Sequence, residues 1–413
     1  MNILVLQSVR YDLICYDRAI DHHRHQVVYI GTAEKHAQIP AGLPCEKIER
    51  EGRRPLYEEV SEILERLDRQ FDFLIAISEH ELVDAARLRE RFGIPGPMPL
   101  QARKVRDKTL MKQCIIDAGI RAPRYAALDH WLAGQQLAVA DDASIILKPV
   151  DGASSVDVRR FDSQQTLADA LKAGRTGVAA LDDGTGDTAR YQVEEFIEGR
   201  VVHIDGIARQ GTIQILVASR YVGTLMGFAH GKPAGSIQFD TTDEMQQWVS
   251  RILQAVEIRD GAFHLEIIEG QDGPVFLEIA HRVGGARITE AFERKTGIHL
   301  AIADIGTIVD PDYTLQPNWD SSAYYGWFIV PAHQLNKPYC RVSGYDALLA
   351  SGTVETLNVL GTDKPVPKKI SYAETLLPLA GLVRANSSQV LQDTLDTLFN
   401  ELVLEGLDES AAA

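Results

Sequence analysis

The sequence predicts an α/β and α+β multidomain protein. Three observations carry that expectation. The chain has 413 residues, which at about 150 residues per domain is too long for one simple core and long enough for a cleft between domains. Residues 1–100 alternate short apolar runs with an amphipathic stretch. Farther along, a turn-rich linker joins two apolar runs into an antiparallel hairpin.

In chain order, Asn2–Leu6, Gln26–Ile30 and Phe73–Ile77 are short Val, Ile and Leu-rich runs, as buried parallel strands are. Between the last two, Leu56, Val60, Ile63, Leu64 and Leu67 follow a 3.6-residue period, so Leu56–Leu67 reads as a helix. The order suggests a small doubly wound domain. Gly93-Ile94-Pro95-Gly96-Pro97 breaks the pattern and marks a boundary. Asp107–Ala118 reads as a helix ending at Gly119, and Ser144–Val150 as a strand followed by a polar turn, Asp151–Ser155. Val156-Asp157-Val158 reads as a resumed strand, Asp182–Asp187 as a hairpin-like loop, and Tyr191–Ile197 as a strand. Thr241 with Glu244 suggests a capping box before a helix carrying Met245, Trp248, Val249, Ile252, Leu253 and Val256. Tyr324, Tyr325, Trp327 and Phe328 read as a core strand. Leu391, Leu395, Leu398, Phe399 and Leu402 mark a long amphipathic helix.

Composition narrows the function. The net charge of −16 argues against nucleic acid, which needs a basic face. It leaves room for a small anion held by local Lys and Arg. No window of 18 apolar residues occurs, so no membrane span is expected, and the short apolar start lacks a signal-peptide pattern. The four cysteines are widely spaced and are expected reduced, in a cytoplasmic protein.

The chemistry concentrates in the hairpin. Phe263–Ile268 and Val275–Ile279 are joined by Glu269–Pro274. Alternation puts His264, Glu266 and Ile268 on one face and Phe263, Leu265 and Ile267 on the other. With Gly270 facing Pro274, Glu266 lies opposite Glu278. Like charges opposed in this way repel, and a divalent cation between them reverses the sign. Mg²⁺ takes oxygen ligands, often carboxylates plus phosphates. The bland alternative is a solvated face with two unrelated acids. Arg282 follows Glu278 by four residues and suits an anionic transition state. Gly284 and Gly285 would allow close backbone approach to a ligand. Lys148 ends an apolar strand before the Gly/Ser turn, a setting that aims a lysine at phosphate. Lys108 starts a helix, where anions are already favoured.

Together these stretches resemble the ATP-grasp superfamily. They are Asp107-Lys108, Leu147-Lys148-Pro149 with Gly152–Ser155, Glu194–Gly199, His264-Leu265-Glu266, and Phe276–Arg282. The likeness covers roughly residues 1 to 300. Within the superfamily, Glu278–Ile288 and Gly199–Gly206 are most similar to carboxylate–amine ligases of the L-amino-acid ligase (dipeptide synthetase) type. The resemblance implies an ATP-grasp fold with an N-terminal Rossmann-like (pre-ATP-grasp) domain at 1–100. An ATP-grasp domain would span 101–315, with a lid at about 121–197. Residues 316–413 would complete that core or form a small α+β subdomain.

Carried over residue by residue, Lys108 and Lys148 would hold ATP phosphates, and Lys148 and Arg282 would act in catalysis, with Arg282 facing an acyl phosphate. Glu194, Phe196 and Ile197 would meet the adenine edge. Ser154 and Ser155 would lie in the loop over the phosphates, and Glu266 and Glu278 would bridge Mg²⁺, or Mn²⁺ in its place. Many relatives carry Asn where Ala280 stands here, so a water or phosphate oxygen would have to replace one metal-ligand oxygen. Many also carry an acid where Val201 stands, which leaves the ribose contact open, with Asp205 as a candidate substitute. His203, His281, Gly284, Gly285 and Arg287 are substrate-pocket candidates, with an Arg287 pairing to Glu290 or Glu293 as the alternative.

The implied activity joins a carboxylate to an amine, both small molecules of amino-acid type, through an acyl phosphate, releasing ADP. The alternatives are a bicarbonate-activating carboxylase or carbamoyl-type enzyme and a non-catalytic nucleotide-binding module. No nucleic-acid or membrane partner is expected, and the reading leaves room for a homodimer. His22-His23-Arg24-His25 lacks a second ligand set for a metal. Gly231-Lys232-Pro233 lacks a P-loop context, and Ser154 and Ser155 lack a hydrolase frame.

Overall fold

The computed structural model describes residues 1–153 and 155–409. The first sheet is parallel and contains β1 (Asn2–Gln7), β2 (Gln26–Gly31), β3 (Glu46–Glu49) and β4 (Phe73–Ala76), in the order β3-β2-β1-β4. Apolar clusters cover both of its faces, as a parallel sheet requires. The strand β3, Glu-Lys-Ile-Glu, has no apolar run to announce it. It is an edge strand with one half-buried side chain, Ile48, so burial leaves little trace in its sequence. The helix Leu56–Leu67 forms as its periodicity predicts. His22 in the histidine-rich turn is buried, with ring nitrogens 2.8 Å from both the Ile20 carbonyl and the Tyr29 hydroxyl.

The second sheet is antiparallel: β5 (Tyr125–Ala127), β6 (Ile145–Pro149), β7 (Arg159–Phe161) and β8 (Tyr191–Glu195), ordered β5-β8-β6-β7. Two expectations fail here. Val156-Asp157-Val158 is a turn rather than a strand, because Ser155 and Asp157 take left-handed φ of 55° and 58° and break the extended run. Residues 182–187 form no hairpin. They link a short helix, Ala179–Asp182, to the 3-10 turn before β8, with the Asp182 carboxylate tied back to Thr176 and Gly177.

The remaining strands are β9 (Arg200–Arg209), β10 (Thr212–Val222), β11 (Ala234–Phe239), β12 (Gly261–Gly270), β13 (Gly273–Ala280), β14 (Tyr324–Val330), β15 (Tyr339–Ser343), β16 (Val354–Val359), β17 (Leu379–Ala385) and β18 (Val403–Leu407). Eight of them make one antiparallel sheet, β13-β12-β9-β10-β11-β14-β17-β16, and β15 pairs with β18. Tyr325, Trp327 and Phe328 on β14 are buried in it. The helix Asp243–Ala255 starts one residue later than expected. Thr242, not Thr241, is the N-cap, its hydroxyl accepting from Met245 N at 3.1 Å, because the cap must sit three residues before the donor it serves. None of the described helices is long and apolar enough to cross a membrane, and all four cysteines are free.

One helix joins the sheets. Leu300–Val309 is buried on nearly every side. Ala301, Ile305 and Val309 pack under β1 and β2, while Leu300 and Ala303 pack against Ile207 of β9 and Ala262 of β12. Its Asp304 accepts from Ala262 N at 2.7 Å. This contact holds the carboxyl ends of β1 and β4 beside the large sheet.

Near those ends Glu81 is buried. The Ser8 hydroxyl donates to one of its oxygens, and the other has no hydrogen-bond partner among the described residues. Burial pushes its carboxyl up from 4.5 to about 6. Between those values the folded chain binds more protons than the unfolded chain, so this group's contribution is fully present below 4.5 and is lost as pH rises through 6. We predict that Glu81→Gln stabilises the protein by about 1–2 kcal/mol at pH 8, with the gain vanishing toward pH 4. Denaturant unfolding across that range tests it; equal stability of both proteins at pH 8 would remove the burial penalty.

Candidate active site

The hairpin β12–β13 opposes Glu266 to Glu278, as expected, but by a different route. The turn is tighter than read: Gly270 faces Gly273, not Pro274, leaving Gln271-Asp272 at the tip. That register alone would misalign the two acids by one residue. An irregularity between Glu266 and Ile267 corrects it, since Ile267 pairs with Phe276 and Leu277 is the extra residue. A bulge re-aims side chains, and here Leu277 and Glu278 both line one cleft. Phe263, Leu265 and Ile267 enter the core behind.

The cleft, of about 370 Å³, lies between β6 and β8 above and β12 and β13 below. Lys108, Lys148, Ser155, Glu194, Phe196 and Ile197 all line it, with Glu266 and Glu278. Asp107 caps the helix Lys108–Asp117, its Oδ1 accepting from Thr109 N at 3.0 Å and Leu110 N at 3.1 Å, which fixes Lys108 at the helix start. Lys108 Nζ donates to the Gly152 carbonyl at 2.7 Å and lies 3.1 Å from Glu278. Burial opposes the Glu278 charge, yet Lys108 and Lys148 hold its carboxyl down at about 2. Ser154 lies outside the described residues.

Glu194 sits between two lysines, 2.6 Å from Lys148 Nζ and 2.8 Å from Lys112 Nζ. Burial works against its charge, and the two ammonium groups overcome it, holding the carboxyl below its usual range. Lys112 is fully buried, and burial pushes it down to about 8 despite Glu194. The sequence reading missed Lys112. A signal was present: Lys108, Met111, Lys112 and Ile115 share the buried stripe of the helix, where a lysine needs a partner.

Arg282 is half-buried beside the cleft rather than lining it. Its Nε donates to Glu79 at 2.8 Å, and Arg106 holds the same carboxylate. Burial opposes this charge too, and the two guanidinium groups keep the Glu79 carboxyl low. Glu79 comes from the loop after β4, and nothing in its local sequence announces a partner 203 residues away.

Four expected pocket residues sit elsewhere. Asp205 does not reach a ribose position: it is 2% exposed and clamped between His203 and His264. His203 is buried with it. His281 turns away to the Asp260 carbonyl, 2.7 Å from its Nε2. Arg287 is buried against Glu290 and lies 3.3 Å from Glu374, so the pairing alternative holds. Of the two glycines, Gly285 is exposed, whereas Gly284 packs directly over the Asp205–His264 pair. Ala280 faces His264 across the hairpin. Two groups reach Glu266: the Tyr221 hydroxyl, which had no sequence signal, donates to it at 2.8 Å, and His264 Nε2, from the same strand face, lies 3.5 Å away. Desolvation opposes protonation of His264, but Asp205 pushes its pKa up to about 10.

Removing one member of a buried ion pair strands the other, at about 3–5 kcal/mol. Lys112→Met should therefore lower the unfolding free energy by about 3 kcal/mol, and the double change Lys112→Met with Glu194→Gln should recover part of it. Denaturant melts of the three variants give the coupling; strictly additive losses would mean that the pair is not energetically linked.

Residues 142–290 match the family model described as the ATP-grasp domain. The chain is 27% identical over 300 residues to an L-arginine-specific L-amino acid ligase of Bacillus subtilis, covering 70% of each chain. It is 26% identical over 221 residues to dapdiamide A synthase of Enterobacter agglomerans, covering 49% of this chain and 48% of that one. Among solved structures, an L-amino acid ligase from Bacillus licheniformis superposes with a TM-score of 0.70 at 17% identity, covering 98% of both chains. The cleft geometry, the matched domain and the chain-long superposition agree: residues 142–290 form an ATP-grasp domain, in a chain that shares the overall fold of that ligase.

Proposed function

We propose that the chain is an ATP-dependent carboxylate–amine ligase that joins two amino acids or related acids. The observation that carries this reading is the direct opposition of Glu266 and Glu278 in a cleft that also holds Lys108 and Lys148. In the proposed reaction a substrate carboxylate oxygen attacks the γ-phosphorus of ATP, and ADP leaves. The amine then attacks the acyl carbon of the resulting acyl phosphate, and phosphate departs. Amino acids as substrates follow from the relatives, which include an L-arginine-specific ligase.

The donor set fits magnesium: two hard carboxylate oxygens face each other, and Glu278 is held ionised. A cation bound by Glu266 and Glu278 would supply neutralisation of the negative charge that keeps carboxylate and phosphate apart. Lys108 and Lys148 would exchange their present carboxylate partners for phosphate oxygens. Phe196 and Ile197 would meet the adenine, with Leu277 as its floor. Ser155, on the loop beyond β6, would cover the phosphates and keep water from the acyl phosphate. Arg282, restrained by Glu79, would face the acyl phosphate and its tetrahedral oxyanion. In this reading residues 1–100 contribute Glu79, residues 101–315 carry the nucleotide cleft, and residues 316–413 extend the large sheet.

Glu278→Gln should lower product formation at least about 10³-fold, the scale of losing electrostatic stabilisation at the reacting centre. The variant should remain folded, with a lower melting temperature because Lys108 loses its carboxylate partner. Phosphate release on pairwise amino-acid mixtures, with mass spectrometry of products, checks this. ADP should be the co-product and a dipeptide the product. AMP would overturn the acyl-phosphate route, and bicarbonate-dependent ADP release without amino acids would favour the carboxylase alternative.

A further inference from the structure

Behind Glu266 runs a chain of buried polar groups that the reaction above does not use. Glu266 Oε1 accepts from Tyr221 at 2.8 Å and lies 3.5 Å from His264 Nε2. His264 Nδ1 is 2.8 Å from Asp205 Oδ1, Asp205 Oδ2 is 2.5 Å from His203 Nδ1, and His203 Nε2 is 2.6 Å from Ser236 Oγ. The register builds this chain, since Glu266 pairs with His203 and His264 with Asp205 across β12 and β9. Tyr221 comes from β10 and Ser236 from β11, so four adjacent strands contribute. Each of these side chains belongs to a residue less than a tenth exposed.

His203, Asp205 and His264 bring three donor atoms together, as a metal site would. Their spacing argues otherwise. Two ligands about 2.0–2.1 Å from a tetrahedral zinc stand roughly 3.3 Å apart, whereas His203 and Asp205 meet at 2.5 Å. Each Asp205 oxygen faces one ring nitrogen, which is hydrogen bonding. Gly284 closes the cluster: a Cβ there would lie 2.6 Å from Asp205 Oδ1 and 3.0 Å from His264 Nδ1.

The two acids across the hairpin are thus held differently. Glu278 is countered by Lys108, a long side chain at the cleft surface that phosphate can draw away. Glu266 is tied to groups inside the sheet. We propose that Tyr221 and the chain His264–Asp205–His203–Ser236 are positioning residues for the divalent cation: they fix Glu266 through Oε1 and leave its other oxygen as the rigid ligand, with Glu278 as the yielding one. This rests on the reading of Glu266 as a metal ligand.

The test measures Mn²⁺ affinity of the enzyme–ADP complex by electron paramagnetic resonance, alongside metal-free melting temperature and turnover against Mn²⁺ concentration. Tyr221→Phe and Asp205→Asn should each weaken Mn²⁺ binding about tenfold or more. Metal-free Tyr221→Phe should melt near wild type, and saturating Mn²⁺ should restore its turnover, which a merely structural defect would not allow. Should Asp205→Asn fail to fold, Tyr221→Phe decides alone. Wild-type Mn²⁺ affinity in Tyr221→Phe, with affinity lost in Glu266→Gln, overturns the positioning role. Wild-type affinity in Glu266→Gln instead overturns the metal assignment beneath it.

Discussion

Two carboxylates held face to face across a β-hairpin repel each other, and the arrangement of this cleft follows from that repulsion. Each of the two acids is therefore met by donors from other groups. Lys108 answers Glu278 from a helix start, and Tyr221 and His264 answer Glu266 from within the sheet. The same motif recurs outward. Glu194 lies between Lys112 and Lys148, and Glu79 between Arg106 and Arg282. Glu266, Glu194 and Glu79 are each bracketed by two donors, and Glu278 is met by Lys108, so the cleft is assembled only when the whole fold is.

That bracketing explains how a chain of net charge −16 offers a site for a polyanion. The cations of the cleft are not in excess; they are paired with acids at short range. In the proposed function an arriving phosphate would compete for lysines already aimed and desolvated, so little reorganisation would remain. Lys112 would stay behind to hold Glu194 when Lys148 turns to phosphate.

Two features of the scaffold make such pairings possible. The extra residue at Leu277 shifts one strand of the hairpin by one position, which brings the acids into opposition and turns Leu277 into the cleft. The helix Leu300–Val309, apolar on nearly every side, ties the parallel sheet to the large antiparallel one. Through that tie a loop after β4 delivers Glu79 to an arginine far along the chain. A helix with one apolar face could bury itself against only one of the two sheets.

Local pattern was enough for the elements whose own side chains announce their burial. The strands β1, β2 and β4, the helix Leu56–Leu67, the alternation along β12 and the lysine ending β6 were all legible, as were both hairpin acids. The ATP-grasp resemblance rested on such residues. Elements whose local chemistry is ambiguous were not legible: β3 is a polar edge, and residues 156–158 look extended but turn through left-handed backbone. The helix cap differed by one residue because Thr241 and Thr242 offer the same hydroxyl. What only the tertiary structure decided is which charges meet. Asp205 looks like any pocket acid until the β9–β12 register clamps it between two histidines, and Arg282 looks free until Glu79 reaches it. Spacing along a chain reports which face a side chain takes, because periodicity is a local property of the backbone. It carries no information about a partner brought from a distant element, and in this cleft such partners hold Glu194, Glu278 and Glu79.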